Sequence, residues 1–82
     1  MASESAIKAA IEAKVTHYSV WTIGVTDDPN RRRREHGNPN VWYHWDADSQ
    51  QVARNVEAYF LDKGMKGAAG GGGRADYVYI FI

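Results

Sequence analysis

The 82-residue chain contains no cysteine, only two prolines and no net charge, with ten Lys/Arg balanced by ten Asp/Glu. Without cysteine there is neither a disulfide framework nor a thiolate zinc site. Without net charge the chain lacks the broad positive field that supplies most nucleic-acid affinity, although a local basic site remains open. No apolar run approaches the ~20 residues of a membrane span, and the opening MASESAIKAAIEAKV lacks the apolar core of a signal peptide. The expectation is a cytoplasmic protein with no membrane partner.

What is present reads as a folded domain. Hydrophobic residues at 44% and charged residues at 24% are ordinary globular values. A chain of this length has room for one domain, 1–82, burying roughly 60% of its unfolded surface. Three Trp, five Tyr and two Phe supply much of that burial.

Periodicity and turn chemistry predict the order α-β-α-β-α-β, an α+β fold with a small mixed or antiparallel sheet of about three strands. Residues 3–15 read as a helix capped by Ser3 or Ser5, with a narrow stripe of Ile7, Ala10, Ile11 and Val15 that predicts light packing. Residues 17–26 read as a central strand, apolar on both faces. Asp28 as N-cap and Pro29 at the first helical position open a short helix that Gly37 ends. Residues 41–45 form a short strand. Asp48, with Gln51 three residues on, reads as the N-cap of the helix 49–63, whose stripe is Val52, Val56, Tyr59 and Phe60. Gly64 ends that helix, a glycine-rich loop runs to Arg74, and residues 75–82 alternate as a final strand.

One segment carries chemistry. The strand Trp21-Thr22-Ile23-Gly24-Val25-Thr26 runs into a helix bearing Arg32 and His36, eight and twelve residues after Gly24. Positions 32 and 36 are one helical turn apart and face the same way. An arginine beside a histidine there could hold a phosphate and move a proton. Downstream, Glu57-Ala58-Tyr59-Phe60-Leu61 puts a carboxylate on the long helix. With Gly24, Arg32, His36 and Glu57 in place, residues 18–63 resemble the GIY-YIG nucleases.

That resemblance implies a GIY-YIG-type, metal-dependent nucleic-acid phosphodiesterase, with Glu57 holding one Mg²⁺ and Arg32, His36, Gly24 and a tyrosine forming the catalytic set. Two features depart from the family. The tyrosine of its Tyr-Ile-Gly strand is Thr22 here, and no Gly-Ile-Tyr strand precedes residue 18. The C-terminal strand is the available substitute, which makes the domain circularly permuted with Tyr79 or Tyr77 in the first tyrosine's place. The C-terminal strand should then pair with the strand 17–26. Implied partners are DNA or RNA, and a homodimer stays open.

Other readings stand beside this one. A non-catalytic nucleic-acid- or protein-binding module could use the same scaffold, and Trp21, Trp42, Tyr43 and Trp45 could line a small-molecule pocket. Four successive arginines, 31–34, point in nearly all directions and read as a partly ion-paired, solvated turn. A phosphate-contacting patch, with Trp42 or Trp45 stacking an unpaired base, is the functional alternative. Gly70 to Gly73 lack the Gly-Lys-Ser/Thr ending of a phosphate loop and read as a connector. His44, Asp46 and Asp48 carry metal-ligating atoms, but helix capping accounts for the aspartates more simply.

Overall fold

A computed structural model describes residues 1–68 and 75–82. Its order is helix α1 (Glu4–Lys14), a 3₁₀ turn (Tyr18–Val20), strand β1 (Thr22–Thr26), helix α2 (Pro29–Glu35), strand β2 (Trp42–Asp46), helix α3 (Gln50–Asp62), strand β3 (Lys66–Gly67) and strand β4 (Tyr77–Phe81). The fold is α+β, with three helices and one mixed sheet in the order β2-β4-β1-β3. β4 is antiparallel to both β1 and β2, whereas β3 runs parallel to β1.

The C-terminal strand therefore pairs with β1 as expected, from Thr22 opposite Phe81 to Thr26 opposite Tyr77, and also with β2. The sheet has four strands rather than about three. Lys66 and Gly67, read from sequence as loop, add to β1 through Lys66 N–H donating to the Trp21 carbonyl at 3.0 Å. A two-residue strand has no periodicity to betray it. The connector reading of Gly70 to Gly73 falls outside the described residues.

Strand alternation divides the sheet into two faces. Ile23, Val25, Val78 and Ile80 point to one side, where they meet Ile7, Ile11, Ala53, Val56 and Phe60 from α1 and α3 in the core. Thr22, Gly24, Thr26, Tyr77, Tyr79 and Phe81 point to the other, with Trp42, His44 and Asp46 from β2. That second face carries α2.

Several local expectations need correction. Residues 17–21 are not strand: Trp21 N–H donates to the Tyr18 carbonyl at 3.0 Å, closing a turn that sets the Tyr18 ring 5.9 Å from Phe60. The cap of α3 is Ser49, whose hydroxyl accepts from Val52 N–H at 3.1 Å, and not Asp48. Asp48 N–H instead donates to the Ala2 carbonyl at 2.8 Å, which ties the chain's start to the end of β2. The inner stripe of α3 is Ala53, Val56 and Phe60, with Val52 and Tyr59 at its margin. The α1 stripe is narrow but not lightly packed, since Ile7 and Ile11 are fully buried.

The burial of Ile11 yields a direct test. Ile11→Ala should destabilise the domain by about 2–5 kcal/mol, the range for truncating a buried aliphatic side chain. The check is urea unfolding followed by circular dichroism. A loss under about 0.5 kcal/mol would return α1 to the status of a peripheral helix.

Candidate functional site

The turn between β1 and α2 sets the site. Thr26 is buried and its hydroxyl accepts from Asp28 N–H at 3.1 Å. The Asp28 carboxylate then accepts from Arg31 N–H at 3.1 Å, capping α2 with Pro29 at its start. Gly37 at φ 82° ends the helix in the left-handed region, followed by Asn38 at φ 52°. These two fixed ends hold α2 across the middle of the sheet.

The four arginines of α2 divide as their spacing dictates. Arg31 turns outward to Asp27 at 2.7 Å. Arg33 donates to the Pro39 carbonyl at 3.0 Å, and Arg34 is exposed. Arg32 turns in toward the sheet, one Nη on Glu35 at 2.9 Å and the other on the Tyr79 hydroxyl at 3.4 Å.

His36, one turn beyond Arg32, brings Nε2 to 3.0 Å from the same hydroxyl. Arg32 can only donate, so the Tyr79 oxygen accepts from it, and the direction of the bond to His36 Nε2 is set by the imidazole tautomer. We assign the neutral His36 with its proton on Nδ1, the tautomer whose Nε2 accepts from the phenol. Burial first, and then the Arg32 charge, lower the His36 pKa below its ordinary 6.5, in agreement with that assignment. Burial also raises the Tyr79 pKa, partly opposed by the Arg32 hydrogen bond. The pair is a neutral phenol on a neutral imidazole.

Gly24 makes room for the phenol. A Cβ there would collide with the Tyr79 hydroxyl and lie 2.5 Å from its Cζ and 2.9 Å from Ala68 Cβ. Tyr79 has no exposed surface, and Trp42 stacks on its ring at 4.6 Å and 11°. His36 and Arg32, both partly exposed, join the buried phenol to the surface.

Four of the five residues singled out from sequence, Gly24, Arg32, His36 and Tyr79, thus meet at one hydroxyl. Tyr79 stands there rather than Tyr77, whose ring lies against His44 at 6.3 Å. Glu57 is not bonded to the cluster, but its carboxylate lies near enough to raise the Tyr79 pKa. Its own pKa is raised by burial, opposed by Arg54 at 3.9 Å. Among the described residues no group of three or more His, Asp or Glu converges as a metal cage. A single half-buried carboxylate still suits Mg²⁺, which keeps several waters and takes one or two protein carboxylates.

The small-molecule pocket needs correction. Trp42 faces the Tyr79 side, whereas Trp21, Tyr43 and Trp45 pack together on the other, with Trp21 6.2 Å and Trp45 6.4 Å from Tyr43. Alternation along β2 separates the rings, and the described residues enclose no cavity. Sequence reading missed the role of Trp42 as the cover of Tyr79, because the pairing of β2 with β4 carries no local signal. No family model matches the chain, and no similar curated protein or solved structure is found.

Two measurements test this geometry. Gly24→Ala should cost about 1–3 kcal/mol by overpacking against Tyr79, read by urea unfolding. A neutral outcome would place the phenol elsewhere. The second test is pH. A depressed His36 pKa means the unfolded chain binds the proton more readily, so His36-linked stability is present above about pH 6.5 and is lost as pH falls from there toward the folded value. Glu57, with a raised pKa, acts in the opposite sense as its carboxylate protonates. The thermal midpoint of the wild type should fall further between about pH 7 and pH 5 than that of His36→Gln. Parallel curves would refute a buried neutral histidine.

Proposed function

We propose that this domain is a circularly permuted GIY-YIG-like phosphodiesterase acting on nucleic acid. The observation that carries the reading is the meeting of Arg32, His36 and Tyr79 against Gly24, drawn from β1, α2 and β4. The central place of β4, antiparallel to β1, supports the permutation, because it sets a tyrosine strand beside the Ile-Gly strand. One partner would satisfy a buried hydroxyl, and here both an arginine and a histidine reach it.

The roles follow from the donor inventory. Arg32, held by Glu35, presents fixed positive charge to a phosphoryl group. Hydrolysis adds water across a P–O bond, and the leaving oxygen must gain a proton. His36, neutral at rest, takes the attacking water's proton as general base and as imidazolium returns it to the leaving oxygen, while the buried Tyr79 phenol keeps its own proton and holds the ring. Glu57 would hold Mg²⁺, which when bound supplies charge neutralisation at the phosphate.

A second reading has an observation of its own. The complete burial of Tyr79 under Trp42 favours a module that binds nucleic acid without cutting it. Plasmid nicking with Mg²⁺ or Mn²⁺ separates the two. Wild type should nick, and Tyr79→Phe, His36→Gln, Arg32→Ala and Glu57→Gln should each lose about 10²–10⁴-fold in rate. Mg²⁺ should also shift the NMR signals around Glu57 in the wild type and not in Glu57→Gln. Equal rates in all variants would assign the nicking to a contaminant, and an inactive wild type that binds DNA would leave the second reading.

A further inference from the structure

The face that bears Tyr79 also carries aromatic surface that the hydrolytic reading does not use. Trp42 lies on β2, an outermost strand, and its ring stacks on Tyr79 and also on Phe81 at 5.7 Å and 18°. Its indole N–H donates to His44 Nδ1 at 3.0 Å. Two ring neighbours and one directed bond fix the plane of the indole, yet Trp42 and Phe81 both keep part of their surface exposed. From α2, His36 lies 4.7 Å from Phe81.

Charge is segregated around these rings. Arg33 is bonded to Pro39 on the loop that leads into Trp42, and among the described residues neither Arg33 nor Arg34 pairs with a carboxylate. At the far end of β2 the exposed Asp46 sits opposite Tyr77. A polyanion is therefore drawn to the Trp42 end of the face and repelled from the Tyr77 end.

We propose that Trp42 and Phe81 form a stacking platform for the unpaired bases of a single-stranded nucleic acid whose phosphates run along Arg33 and Arg34. The proposal rests on the phosphodiester reading of the adjoining site and specifies the strand state that reading leaves open. An open sheet face with held aromatic rings and an adjacent cationic helix matches what an unpaired strand offers, π-faces and phosphates together. A duplex offers the phosphates alone, because its base faces are already stacked. The fixed indole loses little rotational freedom on binding, which favours stacking on Trp42.

The test is fluorescence anisotropy at low salt with a labelled oligothymidylate of about 15 nucleotides, a duplex of equal length and an abasic phosphodiester of equal length. The thymidine strand should bind more tightly than either comparison ligand. Trp42→Leu should weaken it about 5- to 150-fold, and Trp42→Phe, which keeps an aromatic face, much less. Replacing Arg33 and Arg34 by Gln should lower the salt slope by about 0.7 for each phosphate that is no longer neutralised. Equal binding of the abasic strand or the duplex overturns the platform, and this comparison needs only wild type, so it decides even if Trp42→Leu unfolds. An unaltered affinity in a folded Trp42→Leu overturns it as well, whatever the nicking rate of that variant. Base-dependent binding without nicking supports the platform and removes the hydrolytic reading.

Discussion

Tyr79 leaves the middle of the central strand toward the one position on β1 where the absence of a side chain leaves it room. Its hydroxyl then lies in the interior, where an unpartnered polar group costs about 1–3 kcal/mol. Arg32 and His36 satisfy it from one face of a short helix. The position of α2 thus depends on the phenol, and the burial of the phenol depends on α2. A single hydroxyl couples β1, β4 and α2, so a change at Gly24, Arg32, His36 or Tyr79 reaches the other three.

The two faces of the sheet divide the work of a small domain. The core is built on one face, where α1 and α3 cover Ile23, Val25, Val78 and Ile80. A chain this short cannot build a second core, because its surface is too large for its volume. The other face consequently keeps aromatic and polar groups only partly covered by the seven residues of α2. The buried Ile7 and Ile11 show why α1 is needed: without it α3 alone would shield the back of the sheet.

Much of this is readable wherever the determinants are local. Asp28 and Pro29 open α2, Gly37 and Gly64 end helices at positive φ, and the spacing of Arg32 and His36 puts both on one face. The C-terminal strand is expected beside β1 because few other apolar surfaces remain for it. What fails is decided by neighbours or by near-equivalent caps. Ser49 and Asp48 are both good caps, and Asp48 is drawn off by Ala2. Residues 17–21 have strand propensity, but the turn that brings Tyr18 to Phe60 overrides it. Whether Tyr77 or Tyr79 faces Arg32 depends on sheet register, and whether Trp42 covers it depends on a pairing between distant segments.

In the proposed nuclease reading Thr22 takes the place of a second tyrosine, and the structure limits what could replace it. Tyr18 is committed to Phe60 on the core side, and Tyr77 lies two residues along β4, against His44 and toward Asp46. One tyrosine hydroxyl remains within reach of Arg32, and it has no exposed surface. In the proposed reaction the proton traffic then falls to His36, the partly exposed imidazole bonded to that hydroxyl. A relay with two tyrosines can spread its proton traffic over two groups with high pKa values. A relay with one buried tyrosine places it all on an imidazole whose pKa is already depressed by burial and by Arg32. In the proposed reaction Arg32 therefore acts twice, presenting charge to a phosphate and adding to the burial that lowers the His36 pKa, so that its removal changes both the anion site and the titration of its neighbour.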